Sequence, residues 1–342
     1  MPALPLSTGK RIGESLKAAA RFLCRPMLPV VPDALANRLP FLGQVCVQGP
    51  DNLRLRFHTY GPHGKDRIAI KLARRGFWGY EGETTRIFLA LAKEVKTVID
   101  VGANTGLFAL LAAKANTTGR VWAFEPVPFI HDMLRANIHL NQLKNLEAVQ
   151  AAVADFVGES TFYITRTSTG IPTDSSSCEG FRSDVETICL PTLTLDEHML
   201  RQQIPRLDLL KIDAEAAEAK VLRGALRTIE RDRPFLICEV LENVDHAYVQ
   251  ETMQAQQYLF YHITPEGLDR HASLQGSLNV EQRNYLFVAA EKIGMLAAVC
   301  AGAGIAGVAS WHGLALPLPV VQAARVRVPS LANSMQASRC EQ

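Results

Sequence analysis

The segment that most constrains this chain runs from Thr97 to Gly106, Thr-Val-Ile-Asp-Val-Gly-Ala-Asn-Thr-Gly. Val98, Ile99 and Val101 make a short β-branched run of the kind a parallel strand buries on both faces. Gly102 and Gly106 bracket a turn, because a residue without Cβ lets the backbone bend sharply and come close to a ligand. Leu107 to Ala113 is wholly apolar and has the composition of a buried helix. A strand, a glycine turn and a helix in that order aim the helix N-terminus at whatever lies over the turn.

The spacing of the turn chooses between two cofactor classes. A dinucleotide fold needs G-x-G-x-x-G to admit a pyrophosphate, whereas this turn is G-x-x-x-G with Asn104 inside it. Asp100 at the strand end would repel a pyrophosphate and attract a cationic amino acid. S-adenosylmethionine carries an ammonium and a sulfonium and no phosphate. Arg120 to Pro126 reads as a second strand ending in a carboxylate, and Glu125 at that tip can accept both hydroxyls of a ribose. Dinucleotide folds use the same device, so Glu125 alone does not discriminate. The third strand ends in Ala151-Ala152-Val153-Ala154-Asp155, where small residues let an adenine ring lie against backbone. The expected cofactor residues are therefore Asp100, Gly102, Ala103, Asn104, Thr105, Gly106, Glu125, Pro126 and Ala152, with Asp155 placed for the adenine amine.

Leu207-Asp208-Leu209-Leu210-Lys211-Ile212-Asp213-Ala214-Glu215-Ala216-Ala217-Glu218, followed by Val221-Leu222-Arg223-Gly224-Ala225, closely resembles the signature of the FkbM-type S-adenosylmethionine-dependent methyltransferases. Gly79-Tyr80-Glu81, Phe124-Glu125-Pro126 and Cys238-Glu239-Val240 add to the resemblance, which covers about residues 76 to 290. It implies a class I methyltransferase with S-adenosyl-L-methionine as cofactor, and a hydroxyl on a glycan, glycolipid or secondary metabolite as acceptor. One position departs from the family pattern, which has glycine where this chain has Ala216. A positive φ there would cost alanine about 1 kcal/mol; a first helical turn would cost nothing, and the second conformation is the one expected.

The remaining segments fall around this centre. Residues 46 to 72 alternate apolar and polar on both sides of Gly61-Pro62-His63-Gly64, predicting a β-hairpin. Glu83 to Lys93 reads as a helix. Strands at 97–101, 120–125 and 146–153 alternate with helices at 105–115 and 128–140, and strands at 207–212, 235–240, 258–263 and 285–289 follow. This alternation predicts an α/β fold with a doubly wound, mostly parallel seven-stranded sheet and an N-terminal hairpin extension. Between 158 and 195 two short strand-like runs, 160–164 and 187–190, flank a Gly/Ser-rich loop that reads as a substrate-facing lid. The division is a basic arm (1–45), a hairpin and helix (46–96), a methyltransferase domain (97–290) and a tail (291–342).

Ligands of open α/β sheets bind beyond the carboxyl ends of the strands, where Asp213, Glu215 and Glu239 fall. Asp213 or Glu215 is the expected general base, with Glu239 next; Lys211 either positions a substrate oxygen or pairs with Asp208. Glu215 and Glu218 also suit a first helical turn, where carboxylates favour the dipole. A divalent metal shared by Asp213 and Glu239 fits some O-methyltransferases, but no His/Cys cluster supports one, and no metal is expected. The nine histidines are scattered without metal-binding spacing and read first as structural, with His262 and His271 flanking a loop after the sixth strand from which they could reach substrate. Ile212-Asp213-Ala214-Glu215 offers no aromatic on which a flipped base would stack, which argues against methylation of nucleobase amines.

Composition sets outer limits. With 342 residues, 48% hydrophobic and 20% charged, the chain can bury a full core. A net charge of +2 without a Lys/Arg run in the core region gives no nucleic-acid footprint. Seven cysteines without a C-x-x-C pair suit reduced thiols and a cytoplasmic location, with peripheral membrane attachment through either terminus a lesser alternative. Lys10 to Cys24 has the makings of an amphipathic helix. Ile293 to Ala324 lacks Asp, Glu, Lys and Arg and is glycine-rich, predicting a poorly packed extension ahead of a membrane anchor. The partner is then a small-molecule, glycan or lipid-linked acceptor. Methylation of an amine or carboxyl, and a cofactor-binding module without activity, are the competing readings; a dehydrogenase is disfavoured by the turn spacing.

Overall fold

A computed structural model describes residues 43–61, 64–165, 171, 176–178, 180, 184–242, 244, 246–277, 279 and 282–306. Among these, eight strands form one large sheet in the order β14-β13-β15-β12-β11-β5-β6-β7. The strands are β5 (Thr97–Val101), β6 (Arg120–Phe124), β7 (Leu146–Val149), β11 (Leu209–Ile212), β12 (Phe235–Glu239), β13 (Tyr258–Thr264), β14 (Gly267–His271) and β15 (Asn284–Ala289). From β7 through β12 every pairing is parallel, whereas β15 lies antiparallel between β12 and β13. Seven strands in this order, with one reversed strand inserted next to the edge, are the class I methyltransferase arrangement, and β14 adds an eighth at the rim.

Both faces of the sheet are covered. On one side α2 (Gly82–Glu94) packs on α3 (Leu107–Ala115), and α9 (Ile293–Ala303) packs on α2 and β15. On the other, α5 (Leu195–Arg201) touches α7 (Leu226–Asp232), and α6 (Glu218–Arg223) touches α8 (Ala247–Ala255). Leu195, Met199, Val221, Leu222, Ile229, Val249 and Met253 from this second group bury against Ile99, Val101, Phe124, Leu210, Ile212 and Cys238 of the sheet. Strands buried on both faces read as unbroken apolar runs, which is why β5, β11 and β12 are legible in the sequence.

A second sheet of three strands carries β8 (Ala152–Val153), β9 (Gly158–Thr165) and β10 (Val185–Leu193) in the order β8-β10-β9. The expected third strand over 146–153 therefore divides: its first half completes the large sheet and its end pairs with β10. Phe162, Ile164, Ile171 and Leu190 of this layer pack against Val127, Ile130 and Met133 at the start of α4 (Pro128–Leu140).

Two expectations need correction. A short antiparallel pair, β3 (Tyr60–Gly61) with β4 (Gly64–Lys65), does flank the expected turn, but the longer hairpin joins β1 (Gln44–Gln48) to β2 (Arg54–His58) through the turn at Pro50–Asn52. The second half of the expected hairpin is α1 (Arg67–Arg75), whose N-cap Asp66 accepts from the Ala69 amide at 3.0 Å. Ile68, Ile70 and Leu72 are all buried there, and their every-other-residue spacing mimics a strand. The expected poorly packed tail is also ordered at its beginning: α9 buries Leu296 and Cys300. At eleven residues it is about 16 Å long, and among the described residues no helix is long and apolar enough to cross a membrane. The expected Lys10–Cys24 helix and most of the expected lid lie outside the described residues.

Asn137 of α4 fastens the hairpin to the glycine turn, and the helix C-cap Asn141 adds a second hold on the hairpin. Asn137, fully buried, accepts from the His58 amide at 2.9 Å and donates to the Thr105 carbonyl at 2.8 Å. Asn141 makes the pair of bonds with the Arg56 backbone at 2.9 and 2.7 Å. Buried amides satisfied in this way fix register as well as adding stability.

Candidate functional site

Strand register builds the site. Val101 is level with Phe124 on one side and Ile212 on the other, and Ile212 is level with Cys238. The next residue on each strand is therefore Gly102, Glu125, Asp213 and Glu239, four neighbours in one row at the carboxyl edge. The strand order reverses between β5 and β11, so the row straddles the crevice where such sheets bind ligands.

A cavity of about 550 Å³ opens over this row, inside the range of roughly 300–1,000 Å³ usual for small-molecule sites. Gly102, Ala103, Asn104, Glu125, Pro126 and Ala152 line one end, together with the apolar Phe124, Ile130, Val153 and Phe162. Tyr80, Glu81, Lys211, Asp213, Glu215, Glu239 and Arg283 line the other, and Arg67 and Lys71 of α1 line the cavity as well.

At the first end, Gly102 has φ +79°, Asn104 φ +49° and Gly106 φ +103°, so the turn needs three left-handed residues. The Gly102 and Ala103 amides both donate to the Phe124 carbonyl, at 3.0 and 2.9 Å. The Asn104 amide donates to Glu125 Oε2 at 3.0 Å and the Val127 amide to Oε1 at 2.9 Å. Burial nevertheless pushes the Glu125 carboxyl up to about 7 against those two bonds.

At the second end, the Lys211 ammonium, 1% exposed, sits 2.9 Å from Asp213 Oδ2 and 4.4 Å from the Phe108 ring centroid. Burial alone would lower Lys211, but Asp213, Glu81 and Asp100 outweigh it and hold the ammonium above its ordinary value. Glu239 is 7% exposed; burial first, then Asp213, Glu215, Glu218 and Glu81, hold its carboxyl well above the usual range. Arg283 approaches Glu239 Oε1 at 3.4 Å. Asn284 donates to Glu81 Oε2 at 3.0 Å and Thr84 Oγ1 at 3.1 Å, which fixes the N-terminus of α2 over the cavity. One oxygen from each of Asp213, Glu215 and Glu239 lies within 4.8 Å of the others, an all-oxygen set able to hold a hard cation.

Several expected site residues take other places. Asp100 is 1% exposed and lies outside the cavity lining, with burial pushing its carboxyl up to about 6 against the pull of Lys211. Thr105 and Gly106 also lie outside the lining; Thr105 is fully buried and Gly106 caps α3. Asp155 is on the surface, 3.8 Å from Arg223, and does not line the cavity. Lys211 pairs with Asp213 rather than Asp208, which instead accepts from the Lys96 and Thr97 amides. His262 stacks on Tyr285 at 4.8 Å and its Nε2 meets the Gln282 carbonyl, so it packs in an aromatic cluster with His271 outside the cavity.

Glu215 and Ala216 both have positive φ, +48° and +76°, and α6 begins only at Glu218. The first-turn conformation expected at Ala216 is therefore wrong: alanine stands in left-handed backbone that glycine would occupy freely. Ser176 Oγ donates to the Glu215 carbonyl and Cys178 Sγ to the Ala216 carbonyl at 3.2 Å. These bonds hold the loop in place, and Ser177 lines the cavity beside them. Glu218 is buried and accepts from the Ala214 amide at 3.1 Å, closing the same turn. Arg67, Lys71, Phe162 and Arg283 were missed. The signal for the first two was the Asp66 cap with Arg67 and Lys71 four apart on the helix that follows it.

Residues 100–260 match the methyltransferase FkbM domain. Methyltransferase sdnD of Sordaria araneosa is 29% identical, over 37% of this chain and 59% of its own length. Hexuronic acid methyltransferase AglP of Haloferax volcanii is 26% identical, over 48% of this chain and 64% of its own length. The 31-O-demethyl-FK506 methyltransferase FkbM of Streptomyces tacrolimicus is 29% identical, over 48% of this chain and 73% of its own length. The chain thus spans under two thirds of the first two relatives. Sheet topology, the acid row on its carboxyl edge and the domain match agree: residues 100–260 of this chain are similar to the methyltransferase FkbM domain.

Proposed function

We propose that this protein is an S-adenosylmethionine-dependent O-methyltransferase whose acceptor is a hydroxyl on a glycan, glycolipid or secondary metabolite. The observation that carries this reading is the single cavity shared by Glu125 and the glycine turn at one end and by Asp213, Glu215 and Glu239 at the other. The residues suit the cofactor: carboxylates line the cavity in place of a phosphate cradle, and Ile130, Ala152, Val153 and Phe162 offer an apolar slot for a purine. Asn104, left-handed, turns its amide to Glu125, whose remaining lone pairs are the acceptors for ribose hydroxyls. When bound, the cofactor supplies an electrophilic sulfonium methyl.

The chain's own residues then have three tasks. The glycine turn and Glu125 fix the donor end. Glu81, Tyr80 and Arg283 shape the acceptor end, and in-line geometry between the two supplies much of the acceleration. Asp213, held by Lys211, and its neighbours Glu215 and Glu239 stand where a hydroxyl proton must leave. The names of two relatives, one for a hexuronic acid and one for an O-demethyl compound, support an oxygen acceptor on an oxygen-rich molecule.

Methyl-labelled donor incubated with hydroxylated glycans, glycolipids and polyketides is the test, run beside Asp213→Asn. Label transfer to oxygen that falls at least 100-fold in the variant supports the reading. Transfer that survives the substitution would move the reading to an amine or carboxyl acceptor, which needs no strong base.

A further inference from the structure

We propose that Asp213, Glu215 and Glu239 form a divalent-cation site for Mg²⁺ or Mn²⁺ on the acceptor side of the cavity. Their oxygens lie within 4.8 Å of one another. Around Mg²⁺, ligand oxygens at ~2.0–2.1 Å stand about 2.9 Å apart when adjacent and about 4.2 Å when opposite, so small side-chain rotations bring the three onto one ion. The donors are all carboxylate, with no thiolate or imidazole among them, which selects a hard cation over zinc or copper.

A second observation points to a ligand independently of the clustering. Glu239 is 7% exposed, its Oε1 is met by Arg283, and its Oε2 is buried with no hydrogen-bond partner among the described residues. A buried carboxylate oxygen is normally satisfied, and a cation held among the three carboxylates would satisfy it. Backbone geometry also serves this arrangement. Glu215 reaches the cavity from a left-handed loop, φ +48° followed by +76° at Ala216, in a chain that otherwise has every reason to put glycine there. Ser176 and Cys178 hold the carbonyls of those two residues, so the loop is built to present Glu215 rather than left to drift.

Lys211 and Arg283 are bonded to Asp213 and Glu239, one cation each, and Glu215 and Glu81 add further negative charge on the same wall. The ion would take an acceptor oxygen as a further ligand, positioning the hydroxyl and easing loss of its proton. That role rests on the methyltransferase reading; the binding site does not.

The test uses the purified full chain and Mn²⁺ alone, followed by the loss of the free-ion electron paramagnetic resonance signal. The variants are Glu239→Gln and Glu215→Gln, each checked for folding by thermal melting, and the wild type is also titrated with S-adenosylhomocysteine. One Mn²⁺ per wild-type chain, weakened at least tenfold in a folded variant, is the expected result. An undiminished free-ion signal with wild type, or equal binding by wild type and both variants, overturns the site. S-adenosylhomocysteine binding without Mn²⁺ binding removes the metal and leaves the methyltransferase reading standing; Mn²⁺ binding without S-adenosylhomocysteine binding does the reverse.

Discussion

Gly102 and Asp213 meet backbone to backbone: a Cβ built on Gly102 would lie 1.8 Å from the Asp213 carbonyl oxygen. The Gly102 turn and the turn that follows Asp213 and brings Glu215 to the cavity are therefore one packed unit. Gly102→Ala adds that overlap to a φ of +79°, and neither turn can yield without displacing the other. The variant should lose more than about 3 kcal/mol of stability, at the high end for overpacking, measurable by urea unfolding. Wild-type-like stability would show that the two turns are not in contact.

The reverse change applies at Ala216. Its φ of +76° is a conformation that disfavours a Cβ by about 1–2 kcal/mol, partly offset by the extra chain entropy glycine loses on folding. Ala216→Gly should raise stability by about 0.5–1 kcal/mol, read from the shift in the unfolding midpoint at unchanged m-value. A fall in stability would contradict the left-handed assignment.

Lys211 is buried between the sheet and α3 with Asp213, Glu81 and Asp100 as its charge partners. Lys211→Met keeps much of the volume and removes the cation, stranding buried carboxylates. A loss of about 3–5 kcal/mol is expected, with part of it recovered in the double variant Lys211→Met, Asp213→Asn. Additive losses in the double-mutant cycle would show that the pair is not coupled.

His198 packs edge-on against the Phe124 ring at 4.8 Å and is 5% exposed; burial pushes its imidazole down to about 4. The unfolded chain takes up a proton near pH 6.5 that the folded chain refuses until about pH 4. Its contribution is therefore intact above pH 6.5 and is lost as pH falls from 6.5 towards 4. Between pH 7 and pH 5 the wild type should lose about 2 kcal/mol relative to His198→Phe. Parallel pH profiles for the two proteins would refute a depressed His198.

How much of this was legible in the sequence depended on the physical signal each part leaves. Thr97–Val101 and Phe235–Glu239 are buried on both faces and advertise themselves as apolar runs, so the acids at their tips followed at once. Register then brought Glu125, Asp213 and Glu239 together as expected. Ile68, Ile70 and Leu72 were misread because spacing by two satisfies a strand as well as a short, fully buried helix flank. Ile293–Ala303 lacks a polar face, and its helix is stabilised by packing on α2 that local composition does not encode. The φ of Ala216 was illegible for a simpler reason: its residue type disfavours the conformation its surroundings impose. Asp155 and Asp100 were placed in the cofactor site from their position at strand ends, which does not reveal on which side of the edge a carboxyl falls.

The proposed methyltransferase function requires the cavity over Gly102 and Glu125 to bind the adenosyl cofactor. Calorimetric titration of the wild type with S-adenosylhomocysteine, beside Glu125→Ala, tests it most directly. Micromolar binding to the wild type, weakened at least tenfold in a variant that still melts cooperatively, is the predicted result. A folded wild type that takes up no S-adenosylhomocysteine, or a Glu125→Ala variant that binds it equally well, would contradict the account.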